Sequence, residues 1–273
     1  MVEKRMKMEK NAIVTNGITT YYEIHGSGPP LILIHGISLD HNMWQPQISY
    51  FSNKYAVITY DIRGHGQSEG SDGDYSLEIF ADDLKTLLDN LNIPKPTVCG
   101  LSMGGMIAQI FAARYPDQLN ALIIADSAVV MGLTAQENLV KLLFPKSVVK
   151  TLIRTFKRQF VNFFFWFFRG MNAETKDYFR NALLEFKEEE LLKLLDCFYH
   201  FDLTVELAKI TVPALIIVGE QEKMGFPQAE KMHELIKHSA VVKIPGAFHL
   251  SNLENSVEFN RAIQDFVSDI SVG

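Results

Sequence analysis

The chain has 273 residues, of which 47% are hydrophobic and 21% are charged, and its formal net charge is −6. This composition is ordinary for a globular protein, and the acidic balance argues against a general nucleic-acid surface. Nucleic acid is therefore not an expected partner, and the length fits one large α/β domain or two small ones.

The two cysteines, Cys99 and Cys197, are far apart and form no CxxC or Cys/His motif, so neither a disulfide framework nor a zinc site is expected. The basic N-terminus, MVEKRMKMEK, is not followed by the apolar segment of a secretory signal. The longest apolar run, FVNFFFWFF at residues 160–168, is about half of the roughly 20 residues that a spanning helix needs. We therefore predict a cytoplasmic protein, and no metal or other cofactor.

β-rich runs alternate with helical patterns, beginning with a predicted hairpin formed by AIVTNG and TTYYEIHG. Six further strands follow in the order LILIHG, AVITYD, PTVCGLS, ALIIAD, ALIIVG and VVKIPG, and several lack polar alternation, as strands covered on both faces do. The spacing of apolar residues predicts helices over 76–92, 103–115 and 256–270. This order predicts an α/β fold with a mostly parallel central sheet flanked by helices.

One segment interrupts the alternation. Between the sixth and seventh predicted strands, residues 129–210 carry helical patterns and no convincing strand. We interpret residues 1–128 and 211–273 as the core domain and residues 129–210 as a helical insertion.

Residues 100–104, Gly-Leu-Ser-Met-Gly, match the G-x-S-x-G pattern, with a predicted strand before them and a predicted helix after them. A serine at such a sharp turn presents its hydroxyl above the sheet, and the flanking glycines avoid collisions with neighbouring backbone. Ser102 is therefore the candidate nucleophile, although a glycine-rich tight turn without catalytic function would give the same pattern.

A serine nucleophile needs a base, and the base needs an acid that fixes its tautomer. His249 is best placed as the base, because it follows the last predicted strand and precedes the C-terminal helix. The chain order Ser, acid, His leaves three candidate acids, of which Glu222 is preferred over Asp126 and Glu220. Any of the three that is not the catalytic acid would be a solvated loop carboxylate or a helix cap.

An acyl-transfer site also needs donors for the developing oxyanion. The backbone N–H of Met103, which follows the nucleophile, is one predicted donor. The N–H of Ile37, in the turn after the third strand, is the other.

These stretches together resemble the α/β-hydrolase fold family, over nearly all of the chain outside residues 129–210. LILIHGISLDHNMW is similar to the family's oxyanion loop, CGLSMGG to its nucleophile elbow, and PALIIVGE and GAFHLSNLEN to its acid and histidine loops. YDIRGHGQS is similar to a stretch whose residues the resemblance implies to be structural: Asp61, Arg63, Gly64, Gly66 and Ser68. The core is most similar to the esterase, enol-lactonase and carbon–carbon hydrolase branches.

Three features depart from the family pattern. Glu222 stands where the family usually has Asp, and because some members carry the acid after the sixth strand, Asp126 stays a candidate. Phe248 precedes His249 where the family favours glycine. The nucleophile position holds Ser102 rather than Asp, which disfavours the dehalogenase and epoxide-hydrolase branches.

The resemblance implies that residues 129–210 form a cap over the site. Residues 138–173 contain no acidic residue and seven basic ones, Lys141, Lys146, Lys150, Arg154, Lys157, Arg158 and Arg169. From Lys146 onward the spacing predicts one helix with a basic face opposite an apolar one, Val149, Leu152, Ile153, Phe156, Phe160, Phe163 and Phe164. We favour a lid whose aromatic face meets the core, with transient membrane or lipid contact, or a homodimer contact, as alternatives.

A wall of aromatic side chains would suit an apolar acyl chain or an aromatic group. Its predicted members are Trp44, Phe163, Phe164 and Trp166. The leading interpretation is a serine hydrolase that cleaves such carboxylic esters through an acyl-enzyme. The alternatives are hydrolysis of a carbon–carbon bond or an enol-lactone, and a non-catalytic protein that binds a hydrophobic ligand.

Overall fold

The computed structural model describes residues 11–166, 168–199 and 201–270. Residues 1–10, 167, 200 and 271–273 lie outside the described residues, and the prediction that the basic N-terminus is not a secretory signal falls on the first of these ranges.

The described strands form one eight-stranded sheet in the order β1-β2-β4-β3-β5-β6-β7-β8. Their bounds are β1 Ala12–Thr15, β2 Ile18–His25, β3 Pro30–Ile34, β4 Ala56–Tyr60, β5 Thr97–Leu101, β6 Ala121–Ala125, β7 Ala214–Gly219 and β8 Ser239–Ile244. β2 pairs antiparallel with β1 and β4, and the other neighbouring strands pair in parallel. The predicted hairpin and mostly parallel sheet are confirmed.

Helices cover the sheet. Those in the described part of the core are α1 Gln45–Phe51, α2 Leu77–Asn90, α3 Met103–Arg114, α9 Gly225–Leu235, α10 Ser251–Glu254 and α11 Ser256–Ile270. Those between β6 and β7 are α4 Ala135–Leu143, α5 Lys146–Phe164, α6 Ala173–Glu185, α7 Glu188–Tyr199 and α8 Thr204–Leu207. The helices predicted over 76–92, 103–115 and 256–270 correspond to α2, α3 and α11.

The central strands separate two apolar cores. On β3, Ile32 and Ile34 belong to the core shared with α2 and α3, whereas Leu31 and Leu33 belong to the core shared with α1 and α11. Successive side chains of a strand point to opposite faces, so a strand covered on both faces must be apolar at every position. This double coverage explains the missing polar alternation.

The segment between β6 and β7 differs from the prediction at α5. Its backbone is non-helical at Phe156 (φ −139°, ψ 39°), which divides the helix into two arms. Val149 and Ile153 are buried in the first arm and Val161 in the second, whereas Phe156 is exposed. The prediction of one continuous apolar face is therefore wrong, because the kink resets the direction in which side chains project.

The end of this segment belongs to the core. α8 packs on α3, and Leu203 and Leu207 join the apolar core on that face of the sheet. Among the helices of the described residues, none has both the length and the apolar composition needed to cross a membrane.

A buried ion pair joins the loop after β4 to α2. Arg63 Nε and Nη2 donate to the two oxygens of Asp83 at 2.8 and 2.6 Å, and both side chains are almost fully buried. The structural role implied for Arg63 therefore has a geometric basis.

We expect Arg63→Met to lower the free energy of unfolding by about 3 kcal/mol or more, because the charge of Asp83 would stay buried without a cation beside it. Urea denaturation measures this change. The control is Lys231→Met, which breaks the exposed pair with Glu234 and should cost less than about 1 kcal/mol. Similar losses in both variants would contradict the prediction.

Candidate active site

Ser102 occupies the turn between β5 and α3. Its backbone lies in the left-handed region (φ 55°, ψ −117°), which a non-glycine residue rarely adopts. A Cβ on Gly100 would lie 2.0 Å from the carbonyl oxygen of Gly104, and a Cβ on Gly104 would lie 2.2 Å from that of Ile34. Only glycine at both positions lets α3 approach the sheet this closely, and that approach sets the turn at Ser102.

Ser102, His249 and Glu222 form one hydrogen-bonded chain. His249 Nε2 lies 3.0 Å from Ser102 Oγ, and His249 Nδ1 lies 2.5 Å from Glu222 Oε1. In the neutral imidazole, the serine hydroxyl donates to Nε2 and the Nδ1–H donates to the carboxylate. The structure thus brings together the predicted nucleophile, the predicted base and the preferred acid, which lie on the loops after β5, β8 and β7.

Opposing effects set the pKa of His249. Burial lowers it, because the imidazolium loses hydration, but the charge and hydrogen bond of Glu222 raise it, with smaller contributions from Asp126 and Glu254. The net result raises the pKa of His249 to about 9. The Glu222 carboxylate therefore favours the imidazolium form of His249 over the neutral form.

The two other candidate acids form hydrogen bonds with groups other than His249. Asp126 is buried, and its carboxylate accepts from the Gly219 N–H at 2.9 Å and from the N–H and hydroxyl of Ser251 at 2.9 and 2.6 Å. Burial raises the pKa of Asp126, and the charge of Glu222 adds to that rise. Glu220 accepts from the Gly246 N–H at 3.0 Å. Asp126 thus ties the end of β7 to the loop that carries His249, and geometry favours Glu222 as the acid.

The predicted oxyanion donors lie at the same edge of the sheet. Met103 is the first residue of α3, so its N–H has no partner within the helix and sits at the positive end of the helix dipole. Gly36, which precedes Ile37, lies beside the nucleophile, because a Cβ on it would be 3.5 Å from Ser102 Cβ. Both backbone segments are therefore adjacent to Ser102.

The aromatic run contributes a ring that was not predicted. The Phe168 ring lies edge-on to His249 at a centroid distance of 5.8 Å, and it also contacts Phe165, Phe179 and Phe248. Sequence reasoning missed Phe168 because the apolar spacing did not distinguish it from its neighbours.

The four predicted pocket residues differ in their surroundings. Trp44 is fully buried against Phe259 of α11, so it belongs to the core. Phe163, Phe164 and Trp166 are substantially exposed. The Phe164 ring also contacts the Phe168 ring at 5.0 Å, so it packs beside the ring that faces His249. The pocket prediction is therefore corrected for Trp44, which lies in the core, and for the more exposed Phe163 and Trp166, and it stays a prediction for Phe164.

Glu254 is a second residue that sequence reasoning missed. It is half-buried, and its carboxylate accepts from the Phe248 N–H at 2.7 Å and from the Asn172 N–H at 2.8 Å. Burial raises its pKa. Glu254 therefore holds the histidine loop against the start of α6, a role that no local pattern signals.

A cavity of about 470 Å³ opens beside the loop after β3. It is lined by Ser38, Leu39, Asp40, Gly64, Gly66 and residues of α6 and the loop after it, including Tyr178, Asn181 and Phe186.

Within the described residues, no group of three or more His, Cys, Asp or Glu side chains is arranged to hold a metal ion.

A family model for the alpha/beta hydrolase fold matches residues 29–256 of the chain. The chain belongs to the α/β hydrolase fold family. The resemblance read from the motifs is thus confirmed, and the mostly parallel sheet and the serine turn of this α/β hydrolase are those that the motifs implied.

Relatives with known names include a lactonase and an esterase. The chain is 29% identical over 261 residues to 3-oxoadipate enol-lactonase 2 of Acinetobacter baylyi, covering 93% of this chain and 95% of the relative. The enol-lactonase structure from Burkholderia xenovorans LB400 superposes with a TM-score of 0.82 at 26% identity, covering 94% of this chain and 100% of that one. A thermophilic esterase from Thermogutta terrifontis superposes with a TM-score of 0.81 at 28% identity, covering 96% and 99%.

Stability measurements can test whether the close backbone contacts of this α/β hydrolase require glycine. We expect Gly100→Ala to lower the free energy of unfolding by about 2 kcal/mol or more, because the new methyl group meets backbone that cannot move aside. The matched control is Gly73→Ala, whose methyl group would meet no atom within 4 Å, with a change within about 0.5 kcal/mol. Chemical denaturation measures both, and equal stability of the two variants would refute the argument.

The pKa argument is testable without an activity assay. We expect the His249 imidazole signal in NMR to titrate near about 9 in the parent protein. In Glu222→Gln it should titrate below the ordinary histidine pKa of about 6.5, because burial then acts with less opposition. The control is Glu220→Gln, which removes a carboxylate bonded to Gly246 instead. A similar fall in the control would show that the Glu222 contact is not the cause.

Proposed function

We propose that this α/β hydrolase is a serine hydrolase that cleaves carboxylic esters bearing an apolar acyl or aromatic group. The observation that carries the proposal is the chain of contacts from Ser102 through His249 to Glu222, at 3.0 and 2.5 Å. This arrangement has the nucleophile, base and orienting acid that acyl transfer requires.

The roles follow from the geometry. Ser102 Oγ attacks the ester carbonyl carbon while its proton moves to His249 Nε2. The carbonyl oxygen takes up the negative charge and accepts from the N–H groups of Met103 and Ile37. His249 then donates its proton to the leaving alcohol oxygen as the carbon–oxygen bond breaks, which leaves an acyl group on Ser102. Water, deprotonated by His249, releases the acid.

Glu222 orients the imidazole and stabilises its charged form. Its negative charge favours the imidazolium that appears during the attack, and its hydrogen bond fixes the Nδ1–H tautomer. The same charge raises the pKa of His249 in the free protein, so less neutral base is available at neutral pH. Activity should therefore rise with pH toward the pKa of His249.

The proposal of an apolar substrate is based on the aromatic rings around His249. Phe168 and Phe248 contact each other, and Phe168 contacts His249. The cavity beside Ser38 and Leu39 adjoins the loop that carries Ile37, but its lining includes Asp40, Asn181, Glu185 and Lys187 and so adds polar contacts rather than apolar wall. Apolar walls with a few placed polar groups are typical of small-molecule sites.

Enol-lactone hydrolysis is the second candidate, and the similarity to enol-lactonases across nearly the whole chain favours it. It would use the same three side chains and differ in the substrate pocket. Carbon–carbon bond hydrolysis and a non-catalytic ligand-binding role stay alternatives without a further observation in their favour. A cytoplasmic location also stays a prediction.

We expect the purified protein to hydrolyse p-nitrophenyl esters, with kcat/KM rising from acetyl to longer acyl chains. Below the pKa of His249, kcat/KM should increase about tenfold per pH unit, because only the neutral imidazole accepts the serine proton. Ser102→Ala should lower kcat by roughly 10⁴-fold or more. Glu222→Gln should lower kcat by about 10²- to 10⁴-fold and move the pH midpoint to lower values.

The comparison substrates are 3-oxoadipate enol-lactone and a ring-cleavage diketone, assayed with the same preparations. Faster turnover of either one than of every ester would replace the ester proposal. Ester hydrolysis that survives in Ser102→Ala would remove the nucleophile assignment. Tight, saturable binding of an ester analogue without turnover would favour the ligand-binding alternative.

A further inference from the structure

α4 turns its apolar side away from the protein. Glu137 faces inward, where its carboxylate accepts from Gln228 of α9 at 3.0 Å. Leu139, Leu142 and Leu143 lie on the opposite side of the helix and are exposed, Leu142 by 76%. Amphipathic helices of globular proteins normally place such a stripe against the core, so this one is oriented for contact with something outside the chain.

The exposed stripe continues onto the end of α5. The Phe144 ring, directly after α4, contacts the Phe163 ring at 5.9 Å. Phe163 and Trp166 are exposed by 48% and 56%, and Arg169 lies over the Trp166 ring at 3.5 Å. We call the exposed side chains of this patch the outer apolar surface: Leu139, Leu142, Leu143, Phe163 and Trp166.

The chain segment that carries most of this surface is basic. Residues 138–173 contain seven basic side chains and no acidic one. Four of the seven bond within the protein: Lys146 and Lys150 to Asp196, Lys157 to the carbonyl oxygens of Leu184 and Phe186, and Arg169 to the carbonyl oxygen of Trp166. Arg154, Arg158 and Arg169 are exposed. Exposed guanidinium groups therefore accompany the exposed apolar side chains.

We propose that the outer apolar surface docks onto a lipid bilayer that carries anionic headgroups. Leucine and aromatic side chains enter the boundary between headgroups and acyl chains, while arginines bind the phosphates. An apolar patch accompanied by like-signed charge has this complementarity for an anionic membrane.

A second copy of the chain fits the same surface less well. A two-fold dimer pairs a surface with itself, so it would bring the arginines and lysines of one copy toward those of the other. No acidic residue of residues 138–173 is available to neutralise them. The charge pattern therefore selects the membrane over self-association.

Co-sedimentation with vesicles tests the proposal and reads binding alone, so its outcome is independent of the proposed function. We expect the protein to bind phosphatidylcholine vesicles that contain phosphatidylglycerol, and to bind pure phosphatidylcholine much more weakly. Leu139→Ser/Leu142→Ser/Leu143→Ser should lower the partition coefficient about tenfold or more. Arg154→Gln/Arg158→Gln/Arg169→Gln should lower it by a similar factor on the anionic vesicles only.

Matched controls separate the surface from general changes in hydrophobicity and charge. Val14→Ser/Val257→Ser removes exposed apolar side chains elsewhere, and Lys54→Gln/Lys209→Gln/Lys237→Gln removes the same charge from exposed positions elsewhere. Both should bind like the parent protein.

The proposal is overturned if the parent protein binds neither vesicle or if controls and variants lose binding equally. It is also overturned if the parent protein is a dimer and the leucine variant is a monomer. If the leucine variant does not fold, the arginine variant decides the outcome.

Discussion

The close approach of α3 to the sheet is the constraint on which the site depends. Gly100 and Gly104 allow backbone atoms to meet where any side chain would collide, and the chain can leave β5 and enter α3 only through the left-handed backbone of Ser102. β5 lies between β3 and β6 near the middle of the sheet. The strain at one residue is therefore held by packing on both sides, and strained backbone persists only where the surrounding structure over-determines it.

The parallel arrangement of the strands assembles the remaining groups. The carboxyl ends of β5, β6, β7 and β8 meet at one edge, so the loops that follow them are neighbours although they are distant in sequence. Buried Asp126 fixes the positions of two of these loops, because it accepts hydrogen bonds from the end of β7 and from Ser251 near the histidine. Glu254 likewise holds the inserted segment in place, because it accepts a hydrogen bond from the Asn172 N–H. The candidate catalytic chain is thus supported by carboxylates that take no direct part in it.

The aromatic run divides its side chains between two environments. Phe165 and Phe168 pack inward, and Phe168 reaches His249. Phe163, which contacts Phe144 directly after α4, and Trp166 are exposed. A single stretch of sequence thereby contributes both to the surroundings of the candidate site and to the surface proposed for lipid contact. The kink at Phe156 makes this division possible, because it frees the second arm of α5 from the direction of the first.

The sequence by itself determined the succession of strands along the chain, the nucleophile turn and the candidate histidine, because each depends on local patterns: apolar runs, glycines at fixed spacing, and position after a strand. The order of the strands across the sheet came only from the structure. The sequence left three acids open, because Glu222, Asp126 and Glu220 all follow strands that end at the same edge. Only the tertiary structure decided that Glu222 reaches His249 while Asp126 bonds Gly219 and Ser251. It also decided which aromatic rings face inward, since a helical period predicts directions only until the backbone departs from the helix, as it does at Phe156.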